Sequence, residues 1–171
     1  MNRVLVGCLF FFCGCSSRNQ QIQLIYNERH EVLKIFNNIS IFKAGRSKSI
    51  YLYSYDLNGN RNEYFFEYDS ILHLFRNEIR FRPDLNLDIQ VGENDKLIRR
   101  LKYYLLKMNS LNIREISSDF KPLGISIKIY GKDGFVMIYS ESPAKITNPQ
   151  WLDYLNKLKK IDDHWFYDLN E

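Results

Sequence analysis

The chain has 171 residues, with 24 Lys and Arg against 20 Asp and Glu. The resulting formal charge of +4 is too small an excess to imply a nucleic-acid partner. Hydrophobic residues at 45% and charged residues at 26% are the proportions of a globular protein, and the length suits one domain with a full core. Aromatic residues reach 15%, mainly twelve Tyr and twelve Phe.

Met1 to Arg3 is a short basic start, Val4 to Phe12 is apolar, and Phe12, Cys13, Gly14, Cys15, Ser16 and Ser17 close the run. About ten apolar residues are too few to cross roughly 30 Å of hydrocarbon as a helix. The segment resembles the signal peptide of a bacterial lipoprotein. That resemblance implies a cut between Gly14 and Cys15 and a lipid on Cys15. Residues 1–14 are then a signal peptide, 15–24 a lipidated cysteine with a tether, and 25–171 a single domain. It further implies attachment to a membrane of the bacterial envelope, with the domain exported to the periplasmic or surface side. Ser16 after the lipidated residue points to the outer membrane under the sorting rule of enteric bacteria. Cys8 is a rival cut site, because Leu5, Val6, Gly7 and Cys8 also fit the family pattern, but its hydrophobic core is only Val4 to Val6. A buried strand over Val4 to Cys13 is the alternative, and it places two cysteines, with Cys15 just beyond, and five bulky apolar residues at a chain terminus. A cut at Cys15 removes Cys8 and Cys13 and acylates the third cysteine, which excludes a catalytic cysteine, a disulfide and a cysteine metal site.

Ser16 to Gln23 is polar and unpatterned and reads as the tether. Asn27 can cap a helix over 28–39 in which Val32, Ile35, Phe36 and Ile39 recur at helical spacing. Ala44 to Ser49 reads as a loop. Ile50 to Asp56 and Arg61 to Tyr68 alternate about Asn58 and Gly59, predicting a hairpin with a two-residue turn. In that register Tyr53 faces Tyr64 and Tyr51 faces Phe66, and one face is a ladder of Tyr51, Tyr53, Tyr55, Tyr64, Phe66 and Tyr68. Ile71 to Phe75 fits a short helix or a strand. Ile79 to Arg82 and Leu85 to Val91 alternate as two further strands, with Gly92 ending the second.

Asn94 or Asp95 opens the clearest helix, over 95–108. Its stripe is Leu97, Ile98, Leu101, Tyr104, Leu105 and Met108, with Lys96, Arg99, Arg100, Lys102 and Lys107 elsewhere on its surface. Ile113 to Ile116 reads as a short strand. A second hairpin follows, with Ile125, Ile127 and Ile129 on one face, a turn at Gly131 to Gly134, and a return strand over Phe135 to Ser140. Turns of even length put Val136 and Ile138 on the isoleucine face. Thr147 or Asn148 caps a last helix with Pro149 in its first turn and Trp151, Leu152, Leu155 and Leu158 as its buried stripe. A strand over Ile161 to Leu169 closes the chain. The order predicts an α+β domain, mainly an antiparallel sheet of two hairpins plus additional strands, with about three amphipathic helices packed on it. A helix followed by a hairpin occurs in each half, with too few matching residues to define a repeat.

Two readings are open for the tyrosine ladder: a surface that stacks on sugar rings or peptide, or a sheet face buried under helices. Asp162, Asp163, His164 and Trp165 place carboxylates beside an imidazole. Adjacent strand residues point to opposite faces, so only Asp162 and His164 can cooperate, and two ligands do not make a metal site. A capped turn entering an aromatic strand explains the same residues. His30 and His73 are isolated. No serine sits in a strained Gly-flanked turn, and no Gly-rich phosphate loop precedes a helix. The basic face of the 95–108 helix can rest on anionic head groups or simply be solvated. These features predict no catalytic residue, metal or cofactor. They predict a lipid-anchored domain that binds a protein or an envelope polymer. The alternatives are an envelope glycan or peptide hydrolase using Asp162, His164, Glu63 or Glu67, and an immunity-type lipoprotein acting on a toxin.

Overall fold

Alternating side chains along the strands build one sheet with two unequal faces. The computed structural model describes residues 13–44, 49–55, 61–69, 74–75 and 91–169. Among these lie four α-helices: α1 (Cys13–Asn27), α2 (Arg29–Phe36), α3 (Val91–Ser110) and α4 (Pro149–Lys157). The strands are β1 (Ile39–Ala44), β2 (Ser49–Tyr55), β3 (Arg61–Asp69), β4 (Leu74–Phe75), β5 (Ile113–Ser117), β6 (Ile127–Gly131), β7 (Val136–Tyr139), β8 (Lys159–Lys160) and β9 (Trp165–Asp168). They form a single sheet in the order β4-β3-β2-β1-β5-β6-β7-β9-β8, and all neighbours are antiparallel. The fold is therefore α+β and mainly antiparallel, as its pattern predicts.

One face buries Ile41, Leu52, Ile116, Ile129, Met137 and Trp165 against Ile25 of α1, Val32 and Phe36 of α2, and Leu101 and Met108 of α3. None of these is more than 2% exposed. The other face buries Ile125, Val136, Ile138 and Phe166 against Leu155 of α4 and Leu158 just beyond it. Each such side chain contributes about 1.5–3 kcal/mol by leaving water, so the larger, three-helix face carries most of the stability.

The stretch expected to be a tether is helical from Cys13 and docks on the sheet through Ile22 and Ile25. The two isoleucines are three residues apart and fall on one face, which the polar residues around them conceal in a composition reading. Asn27 ends α1 rather than capping the next helix, and Glu28 is the N-cap of α2, without a side-chain capping bond. The second helix stops at Phe36 instead of 39. Asn38 adopts a left-handed φ of 63°, a conformation that Asn tolerates better than most side chains, and turns the chain into β1, a strand not expected from the sequence. Helix α3 begins at Val91, so Val91 and Gly92 are helical and do not end a strand. Its stripe is otherwise as expected at Leu101, Leu105 and Met108, which are buried, with Tyr104 half-buried. The strands expected over 79–82 and 85–90 lie outside the described residues.

Both hairpins pair one residue out of the expected register. Tyr53 pairs with Glu63 and Tyr51 with Phe65, while Leu52 pairs with Tyr64 and Ile50 with Phe66. Five residues, 56–60, therefore separate the paired positions Tyr55 and Arg61. In the second hairpin Gly131 N–H donates to the Phe135 carbonyl at 2.9 Å, leaving a three-residue loop whose last member, Gly134, has φ of 77°. Both loops are odd in length, and each flips one strand of its hairpin relative to the even-length turns expected. Val136 pairs with Tyr130 and Ile138 with Lys128, so both lie on the α4 face, opposite Ile127 and Ile129.

Helix α4 is capped as expected: the Asn148 side chain accepts hydrogen bonds from the Gln150 and Trp151 amides at 3.0 and 3.2 Å. Leu152, expected in its buried stripe, is 37% exposed. The closing strand is shorter than expected, beginning at Trp165 after a turn.

The halves α2-β1-β2-β3 and α3-β5-β6-β7 have the same order of elements and meet at the central antiparallel pair β1 and β5. In each half the helix ends at a left-handed Asn followed by Ile, Asn38-Ile39 and Asn112-Ile113. Lys107 on α3 joins the helices, its Nζ donating to both Glu28, at 3.0 Å, and Glu31. The Glu31 bond holds the ammonium above its ordinary pKa, and the same bond lowers the Glu31 carboxyl.

Candidate functional site

Asp162 sits in the turn before β9, where Oδ1 accepts from the backbone N–H groups of His164 and Trp165, each at 2.7 Å. Its Oδ2 accepts from the Tyr26 hydroxyl at 2.8 Å, tying α1 to the sheet. His164 turns away: its Nδ1 is 3.1 Å from the Ser140 carbonyl, an arrangement in which that nitrogen carries the proton and donates. The two residues expected to cooperate are thus joined through backbone, and the capped-turn reading accounts for both. Glu63 and Glu67 are on β3, six strand spacings from β9 in the sheet order. At about 4.8 Å per strand this is about 29 Å, whereas paired glycosidase carboxylates lie about 5–9.5 Å apart. The sheet order therefore keeps the positions proposed for hydrolysis apart. Among the described residues no group of three His, Cys, Asp or Glu is placed to hold a metal.

Burial pushes the Asp162 carboxyl upward, but the bonds from the His164 amide, the Tyr26 hydroxyl and the Trp165 amide, with the nearby His164 ring, outweigh it and hold the pKa below the usual value. A depressed carboxyl stabilises the fold fully above its unfolded pKa, about 3.9, and loses that contribution as pH falls through the folded value. Melting temperature measured against pH is therefore expected to fall below pH about 4. Asp162→Asn, which keeps an acceptor but no charge, should melt lower at neutral pH and lose less on acidification. Parallel profiles for the two proteins would refute this role.

The tyrosine ladder is divided by the register. Tyr51 and Tyr53 lie on the sheet face opposite the three-helix core, with Phe42, which pairs with Tyr51. The Phe42 and Tyr53 rings are 5.7 Å apart, Tyr51 and Tyr53 stack at 6.5 Å, and the Arg61 guanidinium lies 4.8 Å above the Tyr53 ring. All three rings are half-buried. Tyr64 and Phe66 occupy positions opposite Leu52 and Ile50, hence on the other face. The side chains of Tyr55, Tyr64, Phe66 and Tyr68 lie outside the described residues. Lys96, Arg99 and Arg100 are exposed on α3, on the same helix as Tyr103 and Leu106, which are 50% and 69% exposed.

A cleft not anticipated from the sequence opens where α2 ends beside β6 and β7. Its volume is about 290 Å³, and Asn37, Lys121, Ser126, Tyr139 and Glu141 line it together with the apolar Leu33. Lys121 enters from a short 3-10 turn, Lys121–Leu123, and its Nζ donates to the Asn37 and Asn38 amide oxygens. Burial lowers the Lys121 pKa, and the Glu141 charge partly restores it. Burial also raises the Tyr139 phenol, reinforced by Glu141 and Asp162, so it stays protonated at neutral pH. Three separate segments meet here, around residues 33–38, 121–127 and 139–141, and no short motif announces them. The one local signal is Asn37-Asn38, a pair suited to a helix end.

Among the described residues the fold is thus an antiparallel sheet with three helices on one face and α4 on the other, carrying a polar cleft and an aromatic patch. Comparison of the chain with protein-family models, curated proteins and solved structures finds no match.

Proposed function

We propose that the protein is a lipid-anchored interaction domain of the bacterial cell envelope. Its lipid is on Cys15, and its partner, a protein or an envelope polymer, docks on the aromatic face of β1 and β2. The observation that carries this reading is the patch of Phe42, Tyr51, Tyr53 and Arg61: aromatic rings and a guanidinium gathered on the sheet face opposite the three-helix core. Tyr and Arg are the side chains most often responsible for binding energy at interfaces, and rings of this kind also stack on sugars. No helix among the described residues is long and apolar enough to cross a membrane, so attachment in this reading depends on the lipid. The docked helix α1 gives that lipid a mount fixed to the body. The exposed basic residues Lys96, Arg99 and Arg100 add a mild attraction to anionic lipid or polymer.

Fractionation and affinity capture of the full chain from its own membrane test both parts. Cys15→Ala is expected to move the protein to the soluble fraction, and membrane retention of that variant would overturn the anchor. A Tyr51→Ala, Tyr53→Ala variant is expected to stay in the membrane but lose its co-purifying partner, with an affinity reduced about tenfold to a hundredfold, the range of interface hot spots. Unchanged capture would overturn the assignment of the surface.

A further inference from the structure

The cleft at the end of α2 holds two opposite charges that do not pair with each other. Lys121 reaches it with an ammonium that has three donor hydrogens. Two are taken by the Asn37 and Asn38 amide oxygens, which are neutral acceptors and carry no charge to balance the ammonium. Glu141 lines the same cleft without an ion pair to Lys121. Tyr139 and Ser126 also line it with hydroxyl-bearing side chains, and Leu33 and Ile127 add apolar ones.

A lysine in this position has a simpler role, since a cation at a helix C-terminus is favourable in itself. The other half of the fold shows that role alone. Lys132, from the three-residue loop, donates through Nζ to Asn109 at 3.1 Å near the end of α3, where it is exposed. Lys121 differs in being half-buried and in lining a cavity that a carboxylate, Glu141, also lines. Burial lowers its pKa, and the Glu141 charge offsets only part of that, as expected for an ammonium with no anion in direct contact.

We propose that this cleft binds a small zwitterion of the amino-acid or dipeptide class, its carboxylate on the Lys121 ammonium and its ammonium on the Glu141 carboxylate. A volume of about 290 Å³ admits such a ligand and is at the lower end of the range for small-molecule pockets. Neither the lipid anchor nor the aromatic docking face is needed for this binding, so it stands or falls separately from them.

Thermal melting and calorimetry of the full chain in detergent provide the test, with L-alanine, L-alanyl-L-alanine, acetate and methylammonium as probes. At least one of the two zwitterions is expected to raise Tm, with the singly charged probes having little effect. Glu141→Gln and Lys121→Met should each weaken zwitterion binding about tenfold or more, the scale of a hydrogen bond to a charged group. If Lys121→Met fails to fold, the exposed position of Glu141 lets Glu141→Gln carry the test alone. Three results would overturn the proposal: no zwitterion raises Tm, acetate binds as tightly as the zwitterions, or Glu141→Gln binds them like the wild type.

Discussion

A chain that begins at Glu28 is expected to lose cooperative folding, whereas one that begins at Ser16 should keep it. Ile22 and Ile25, 4% and 0% exposed, belong to the main core although they lie in a run that reads as polar. Burying two isoleucines contributes about 3–6 kcal/mol. Their removal also uncovers what they pack against. Tyr26 sets its ring edge against Trp165 at 6.4 Å and gives its hydroxyl to Asp162, and Arg18 donates to the Leu169 carbonyl at 2.7 Å. The helix therefore closes the sheet at the strand that ends the chain. A domain of this size has a total stability of about 5–15 kcal/mol, so the loss is a large part of the whole. Urea unfolding followed by circular dichroism distinguishes the outcomes, and equal midpoints for the two forms would return 16–27 to the status of a tether.

The same helix changes what a lipid on Cys15 would do. From Cys15 to Ile22 is seven helical residues, about 10 Å at 1.5 Å per residue. A flexible tether lets a domain tumble above the bilayer, but a helix packed into the core holds it close and limits its orientations. A partner reaching the aromatic face must then approach a body lying near the membrane.

What could be read from the chain, and what could not, follows from the range over which each signal acts. The α3 stripe, the Asn148 cap and the alternation of both hairpins are local, and they fold as their spacing dictates. Register is less local, because it depends on the parity of a loop. Asn58-Gly59 and Gly131-Lys132-Asp133-Gly134 both contain residues suited to tight turns, yet the paired strands are separated by five and three residues. One residue of difference sends Val136 and Ile138 to the α4 face and divides the tyrosine ladder between two faces. In the second loop the parity has a physical cause. A Cβ on Gly131 would come within 2.1 Å of the Phe135 ring, which folds back over the glycine and is itself buried. The cleft is the least legible feature, since Asn37, Lys121, Tyr139 and Glu141 meet only when β1 and β5 pair and bring the two halves together.

Trp165→Ala is expected to cost about 3–5 kcal/mol, the largest effect of any single truncation on the three-helix face. Trp165 is 2% exposed and is the first residue of β9, opposite Tyr139. The Tyr139 ring lies 5.1 Å away at 41°, and the Tyr26 ring meets it edge-on from α1. Removing the indole thus empties the place where a terminal helix, a central hairpin and the last strand meet. Trp165→Phe should recover most of the loss, because it keeps an aromatic ring between those two tyrosines. The other tryptophan, Trp151, lies across the sheet on α4, 5.1 Å from Phe120 and 5.6 Å from Tyr154. Fluorescence of Trp151→Phe therefore reports on the three-helix layer alone, and fluorescence of Trp165→Phe on the α4 layer alone. Because both layers share one sheet, the two signals should change at the same denaturant concentration once corrected for each variant's stability. Separate transitions, with the α4 layer persisting after the other has melted, would show that the sheet does not couple its two faces.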